Sequence, residues 1–307
     1  MTVGPSERGI NRTKRLLVAL ALNGALVVGE VVSGIAAHST ALLADSGHNL
    51  ADVVALGLSL VALRFSLRRA TSTRSFGYHR ATILAALGNM GMLLVVSLAV
   101  AVDASWRLGR VGTLRPGLVI IVATISAGLN LASALLLVDR SRDLNLKSAM
   151  VHLGADAVAS AGIAVAGCVE YFTGRFFILD PLVSLVIALL IAVEAVRIGR
   201  ASVDVLLESV PADVNPLELA TAIAGIEGVD GVHDLHCWSL SGDVRALSAH
   251  VLVSGHPTLE EAQVVGDRVK QAVRTKFAIA HATLELECEP CEDEHNIFCD
   301  IDAATSA

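Results

Sequence analysis

Apolar residues run in six long windows through the first two thirds of the chain, near 14–37, 41–64, 81–104, 116–138, 147–170 and 177–200. At about 1.5 Å per residue each window, as a helix, can cross roughly 30 Å of hydrocarbon. Gly and Ala recur in all six, which suits close packing of helix backbones. After Glu208–Pro211 the texture changes. Asn215–Ile226 is a short amphipathic helix candidate with Asp213 as candidate cap. Val229–Ser239 reads as a strand, and Arg245–Val253 alternates as another. Leu259–Phe277 carries helical spacing in Leu259, Ala262, Val265, Val269 and Val273, and Ala282–Cys288 alternates as a last strand. The order α-β-β-α-β predicts a small open sheet with helices on one face, large enough for a core and small enough to favour dimerisation.

Composition agrees with this division. Of 307 residues, 54% are hydrophobic and only 17% charged, with a mean hydropathy of +0.65, whereas a soluble domain carries about 25% charged residues. Charge gathers after Arg197, as expected of an integral membrane protein with a soluble C-terminal domain. The net charge of -7 comes largely from the acidic tail, and nothing in the chain reads as a nucleic-acid surface. The N-terminus, MTVGPSERGINRTKR, is short and polar, and no small-residue cleavage signal follows the first apolar run, which reads as a spanning helix. The expected divisions are a cytoplasmic segment 1–13, a six-helix membrane domain 14–207, a cytoplasmic domain 208–290 and an acidic Cys-containing tail 291–307. Five cysteines, three of them (Cys288, Cys291 and Cys299) in the stretch CEPCEDEHNIFC, suggest a reducing compartment and metal affinity over a disulfide framework.

Orientation follows from Lys and Arg. Arg8, Arg12, Lys14 and Arg15 precede the first window; Arg64, Arg68, Arg69, Arg74 and Arg80 lie between the second and third; Arg140, Arg142 and Lys147 lie between the fourth and fifth. The positive-inside bias then places both termini in the cytoplasm, against the smaller contrary group of Arg107, Arg110 and Arg115.

The second window nevertheless holds His48 and Asp52, and the fifth holds His152 and Asp156. Each pair is spaced i, i+4, so both members share one helix face. Ionisable groups at mid-bilayer cost a few kcal/mol each even on lenient scales. A single pair is compatible with a helix-packing hydrogen bond, but two pairs supply two imidazole nitrogens and two carboxylates, a complete tetrahedral set for Zn²⁺. These four residues are expected to bind a transported divalent cation. Asp45, a turn nearer the outer mouth, either attracts cations or faces water. Asn49 could orient a ligand, and Glu30 reads as a packing or cavity residue.

The stretches ALLADSGHNLAD, FGYHRATILAALGN, DLNLKSAMVHLGADAVAS, LDPLVSLVIALLI, LLESVP, HDLHCWSL and LSAHV together resemble the cation diffusion facilitator, or zinc-transporter, family over nearly the whole chain. The resemblance implies a six-helix α-helical membrane domain and a cytoplasmic α+β ferredoxin-like domain in a homodimer within a lipid bilayer. It also implies export of Zn²⁺, with Cd²⁺ and Co²⁺ as alternatives, in exchange for H⁺. No prosthetic group is implied. The metal site would be His48, Asp52, His152 and Asp156, a set similar to the zinc- and cadmium-selective arrangement. His233, His250 and Glu287 match positions of a cytoplasmic metal cluster, and His281 with His79 match a site between the membrane loop and the soluble domain. Arg80 and Asp204 match an ion pair between subunits. Gln263 stands where some relatives have a ligand His, Thr82 where Glu is frequent, and the loop between the fourth and fifth helices is not His-rich. Compact loops lean towards a bacterial inner membrane.

Two other classes compete. A channel needs weakly binding sites, whereas four convergent ligands make a tight one. An intramembrane metallohydrolase needs an open coordination position and a base such as the Glu of H-E-x-x-H, a signature missing here, as is a P-loop. A secondary transporter, not an enzyme, is the expectation.

Overall fold

Two separate cores organise the chain, one between long helices and one between a sheet and two shorter helices. The computed structural model describes residues 23–66, 68–108, 114–138, 144–242 and 244–289. The expected start of the first helix, the N-terminal basic residues, Arg110, Arg140, Arg142 and the tail with Cys291, His295 and Cys299 lie outside these. The chain divides into two units, Met1–Leu60 with Ala86–Gly199, and Val61–Ala85 with Arg200–Ala307. The second unit thus takes in the turn between the second and third helices as well as the C-terminal third.

The first unit holds α1 (Asn23–Ala37), α4 (Pro116–Val138), α5 (Leu144–Thr173) and the greater part of α2 (Thr40–Ser66), α3 (Ala81–Arg107) and α6 (Leu179–Leu206). The five helices α2 to α6 are long and apolar enough to cross a membrane. Their outward positions carry large apolar side chains such as Val95, Val158 and Phe172, as a hydrocarbon solvent requires. Inward positions mix alanines (Ala37, Ala41, Ala44, Ala51, Ala123 and Ala195) with larger side chains such as Leu42, Leu93, Ile163 and Ile191. Glycine lets helices approach closely: a Cβ on Gly47 of α2 would lie 2.8 Å from Val96 of α3.

The turn from α1 into α2 is a Schellman motif, with Ser39 N–H donating to Gly34 O at 3.0 Å, His38 N–H donating to Ile35 O at 3.2 Å and His38 left-handed at φ 55°. Arg107, one of the arginines that disagree with the orientation rule, is held locally. It pairs with Asp103 at 3.0 Å and donates to His38 O at 2.8 Å, near the C-terminal end of α1.

The opening of α2 is anchored by a residue far away in sequence. The buried Asp180 carboxylate accepts from Thr40 N at 2.7 Å, Thr40 Oγ1 at 2.7 Å and the Ser39 hydroxyl. Asp180 N–H in turn donates to buried Glu170 at 3.1 Å. Pro181 opens α6 beside it, so the Asp180 side chain caps a neighbouring helix from the first turn of its own.

The second unit contains α7 (Pro216–Ala224), β1 (Val229–Ser239), β2 (Arg245–Val253), α8 (Leu259–Phe277) and β3 (Ile279–Glu287). The sheet order is β1-β2-β3, with β1 antiparallel and β3 parallel to β2, so β2, α8 and β3 form a crossover unit. Leu247, Ala249, Val251 and Val253 of β2 face the core with Leu219 and Ile223 of α7 and Val265, Val269 and Val273 of α8. This is the expected α+β arrangement, with β3 starting earlier than expected. The expected cap of α7 is corrected: Asn215 accepts from Leu217 N–H at 3.0 Å, ahead of Pro216, while Asp213 meets Arg245 at 2.8 Å. The Asn-Pro pair satisfies cap and first-turn preferences together, which Asp213 is too far upstream to do. A capping box closes the start of α8, Thr258 N–H donating to Glu261 at 2.8 Å and Glu261 N–H to Thr258 Oγ1 at 3.3 Å.

Candidate metal centre

His48 and Asp52 lie on α2 and His152 and Asp156 on α5, and one ligand atom from each falls within 4.8 Å of all the others. The close contacts run crosswise. His48 Nε2 is 3.3 Å from Asp156, and His152 Nε2 is 3.1 Å from Asp52. The contacts within each helix are longer, at 3.7 and 3.8 Å. Pairing the earlier residue of one helix with the later residue of the other requires antiparallel helices. Asp52 stands twelve residues past Thr40, and Asp156 the same number past Leu144. Each carboxylate is therefore about 18 Å from the start of its helix, so the antiparallel pair meets near the middle of both.

A cavity of about 140 Å³ gives access to the group. Its lining includes Asn23 and Leu26 of α1, Leu56 of α2 and Asn130 of α4, besides Asp52, His152 and Asp156. On α1 these residues lie before Glu30, and on α2 they lie at or after Asn49. The cavity thus approaches from the N-terminal half of α1 and the C-terminal half of α2. His152 is nearly half exposed to it, whereas Asp156 is buried.

Around the four residues stand three further polar side chains, Asp45, Asn49 and Glu30. Asp45 does not face water: it is buried and accepts from Ser160 Oγ at 2.8 Å. Asn49, which also lines the cavity, donates from its Nδ2 to Glu30 at 2.9 Å. Glu30 is fully buried. Asn49 one position after His48 hinted at this network, but nothing local in the sequence links it to Glu30.

In the second unit His233, His250 and Glu287 converge, again with ligand atoms within 4.8 Å of one another. Glu287 lies 2.8 Å from His250 Nδ1 and 3.3 Å from His233 Nε2. The strands set this up through a bulge. His233 is opposite His250 across the β1–β2 ladder, but His236 is opposite Ser248, so β1 spends an extra residue between them. Asp234 takes that step in the left-handed region at φ 46°. Without the extra residue His233 would share the face of Leu235 and Cys237, which belong to the core. Asp234 also reaches His250 at 3.4 Å and His236 at 2.9 Å, a role the sequence reading missed.

His236 is outside this group. So is His281, whose ring packs edge-on against Phe76 at 5.6 Å; neither it nor His79 joins a cluster of metal-binding side chains among the described residues. Arg80 pairs with Glu208 of the same chain at 2.5 Å.

Comparison with known proteins agrees with both halves. Residues 16–207 match the family model of the cation efflux transmembrane domain, and residues 211–289 that of the cation efflux protein cytoplasmic domain, ZT_dimer. The metal cation efflux system protein CzcD of Cupriavidus metallidurans is 34% identical over 91% of this chain and 88% of its own length. Zinc transporter ZitB of Escherichia coli is 32% identical over 92% of this chain and 89% of its own length. A cadmium, cobalt and zinc/H(+)-K(+) antiporter of Bacillus subtilis is 28% identical over 95% and 94%.

Proposed function

The chain belongs to the cation efflux family, a family of multi-pass metal-ion transporters and not enzymes, and from that premise we propose that it exports Zn²⁺ in exchange for H⁺ by alternating access at His48, Asp52, His152 and Asp156. Cd²⁺ and Co²⁺, named for the Bacillus relative, are the competing cargoes. The observation that carries the proposal is the crosswise convergence of two imidazoles and two carboxylates from antiparallel α2 and α5.

Two nitrogens and two oxygens suit a borderline divalent ion better than Mg²⁺ or Ca²⁺, which take oxygen ligands alone. Each His Nε2 must be free of a proton to ligate, so metal entry expels protons and proton entry expels metal. In the orientation proposed from Lys and Arg, with both termini in the cytoplasm of a bacterial inner membrane, the cavity faces the cytoplasm and is poised to load. A site at mid-helix between oppositely running elements can open to either side by a modest rocking of one element against another. His233, His250 and Glu287 form a proposed further zinc site in the cytoplasmic domain, supplying three of the four ligands that zinc takes. The match to ZT_dimer supports a homodimer.

The test is zinc flux in sealed vesicles under an imposed proton gradient, for the wild type and for Asp52→Ala. The wild type is expected to carry zinc with opposite proton movement, and Asp52→Ala to carry none. Equal flux in the two refutes the site.

A further inference from the structure

We propose that Glu30, set in a buried polar network with Asp45, is a proton-binding site of the transporter, separate from the metal ligands. The inference rests on the exchange reading above and adds to it where a proton is held.

Glu30 sits in apolar α1 with no surface exposed. One carboxyl oxygen, Oε2, accepts from Asn49 Nδ2 at 2.9 Å. The other, Oε1, is buried with no donor in good hydrogen-bond geometry among the described residues, the Ser126 hydroxyl of α4 being close by. No described Lys or Arg forms an ion pair with Glu30 or with Asp45. A bare carboxylate so placed lacks both water and a counter-charge, an arrangement that native structures avoid unless the group binds something. A proton satisfies it at once, since the protonated oxygen becomes a donor and the charge disappears.

The surroundings suit a proton. Asp45 of α2, itself buried, accepts from Ser160 Oγ of α5 at 2.8 Å, and Ser160 lies 3.2 Å from Ser126 Oγ of α4. Hydroxyls of this kind both donate and accept, so they can hand a proton along. The titratable groups within electrostatic reach of Glu30 are Asp45 and His48 of α2 and Asp156 of α5; Asn130 and Ser126 of α4 are neutral.

The position explains coupling. Asn49, the donor to Glu30, follows His48 directly in α2, so the network touches the metal-binding helix without supplying a ligand. Zn²⁺ arriving at His48 and Asp156 brings two positive charges near Glu30. The O–H bond of Glu30 then breaks, the electron pair stays on the carboxylate, and the proton leaves to water. When the metal departs, a proton returns to the same oxygen. Asn49, the donor to Glu30, also lines the cavity that reaches the metal site, which gives a proton released from Glu30 a route to water.

The experiment compares full-length wild type and Glu30→Gln in nanodiscs and vesicles. Zinc binding is titrated by calorimetry in buffers of different ionisation enthalpy, and zinc flux is followed with a proton gradient and, separately, as zinc–zinc counterflow without one. Glu30→Gln is expected to bind zinc, to keep counterflow, to release fewer protons on binding and to lose the acceleration by the gradient. The same proton release and the same gradient response as wild type overturn the inference alone. A wild type that moves zinc without protons overturns the exchange reading and this inference with it. A readout that needs no substitution is the infrared difference between metal-free and zinc-loaded wild type: a carboxylic-acid C=O band should vanish with zinc, and absence of any such band overturns the inference even if Glu30→Gln does not fold.

Discussion

Asp180→Ala should destabilise the membrane unit sharply, although Asp180 is remote from the metal site in sequence and contributes no ligand. Its carboxylate accepts two bonds at 2.7 Å from Thr40, a further one from the Ser39 hydroxyl and a weaker one from Ala41 N at 3.4 Å. Losing a helix cap costs about 1–2 kcal/mol. Each hydrogen bond to a charged acceptor adds about 1.5–3 kcal/mol when broken. Part is recovered, because Ser39 Oγ still accepts from Leu42 N–H at 3.1 Å and Thr40 Oγ1 still accepts from Ser184 at 2.8 Å. The net cost is then about 3–5 kcal/mol, which corresponds to a melting temperature lower by roughly 10 °C. Circular dichroism of the detergent-solubilised protein on heating measures it. Because His48 and Asp52 follow on the same helix, zinc affinity should fall as well, and Asp180→Asn, which keeps one acceptor, should fall between. A melting temperature for Asp180→Ala within about 2 °C of wild type refutes the reasoning.

Glu287→Gln should lower zinc bound per chain by one ion, counted by equilibrium dialysis, while leaving the pair of helices α2 and α5 able to bind, since Glu287 converges with His233 and His250 and not with the helix group. Cys237 is buried, and burial pushes its thiol up to about 11, whereas Cys288 is exposed. Brief treatment of the native protein with iodoacetamide at neutral pH, read by peptide mass spectrometry, should modify Cys288 and spare Cys237, because the thiolate is the reactive form. The hydrogen bond from Arg245 holds Asp213 below the usual carboxylate range, and the Thr258 backbone N–H does the same for Glu261. A depressed carboxylate stabilises the fold above its unfolded value and loses that contribution as pH falls, so amide-exchange protection of α7 and α8 should hold near neutrality and weaken below pH of roughly 4. Protection that rises on acidification contradicts both contacts.

Helical periodicity alone put His48 over Asp52 and His152 over Asp156, because the spacing i, i+4 defines a face without reference to any other element. The same local rule located α2 to α6 and α8, and alternation located β1 and β2. What it could not reach was any choice between partners. Asp180 reads as the opening of its own helix, and only packing reveals that it caps α2 instead. Glu30 and Asn49 lie on different helices and become neighbours only when α1 docks on α2. His233 would belong to the core face by alternation, and one left-handed residue, Asp234, moves it beside His250. Short-range geometry depends on the order of residues along the chain, whereas these contacts depend on which surfaces bury each other, and that is decided by the whole fold at once.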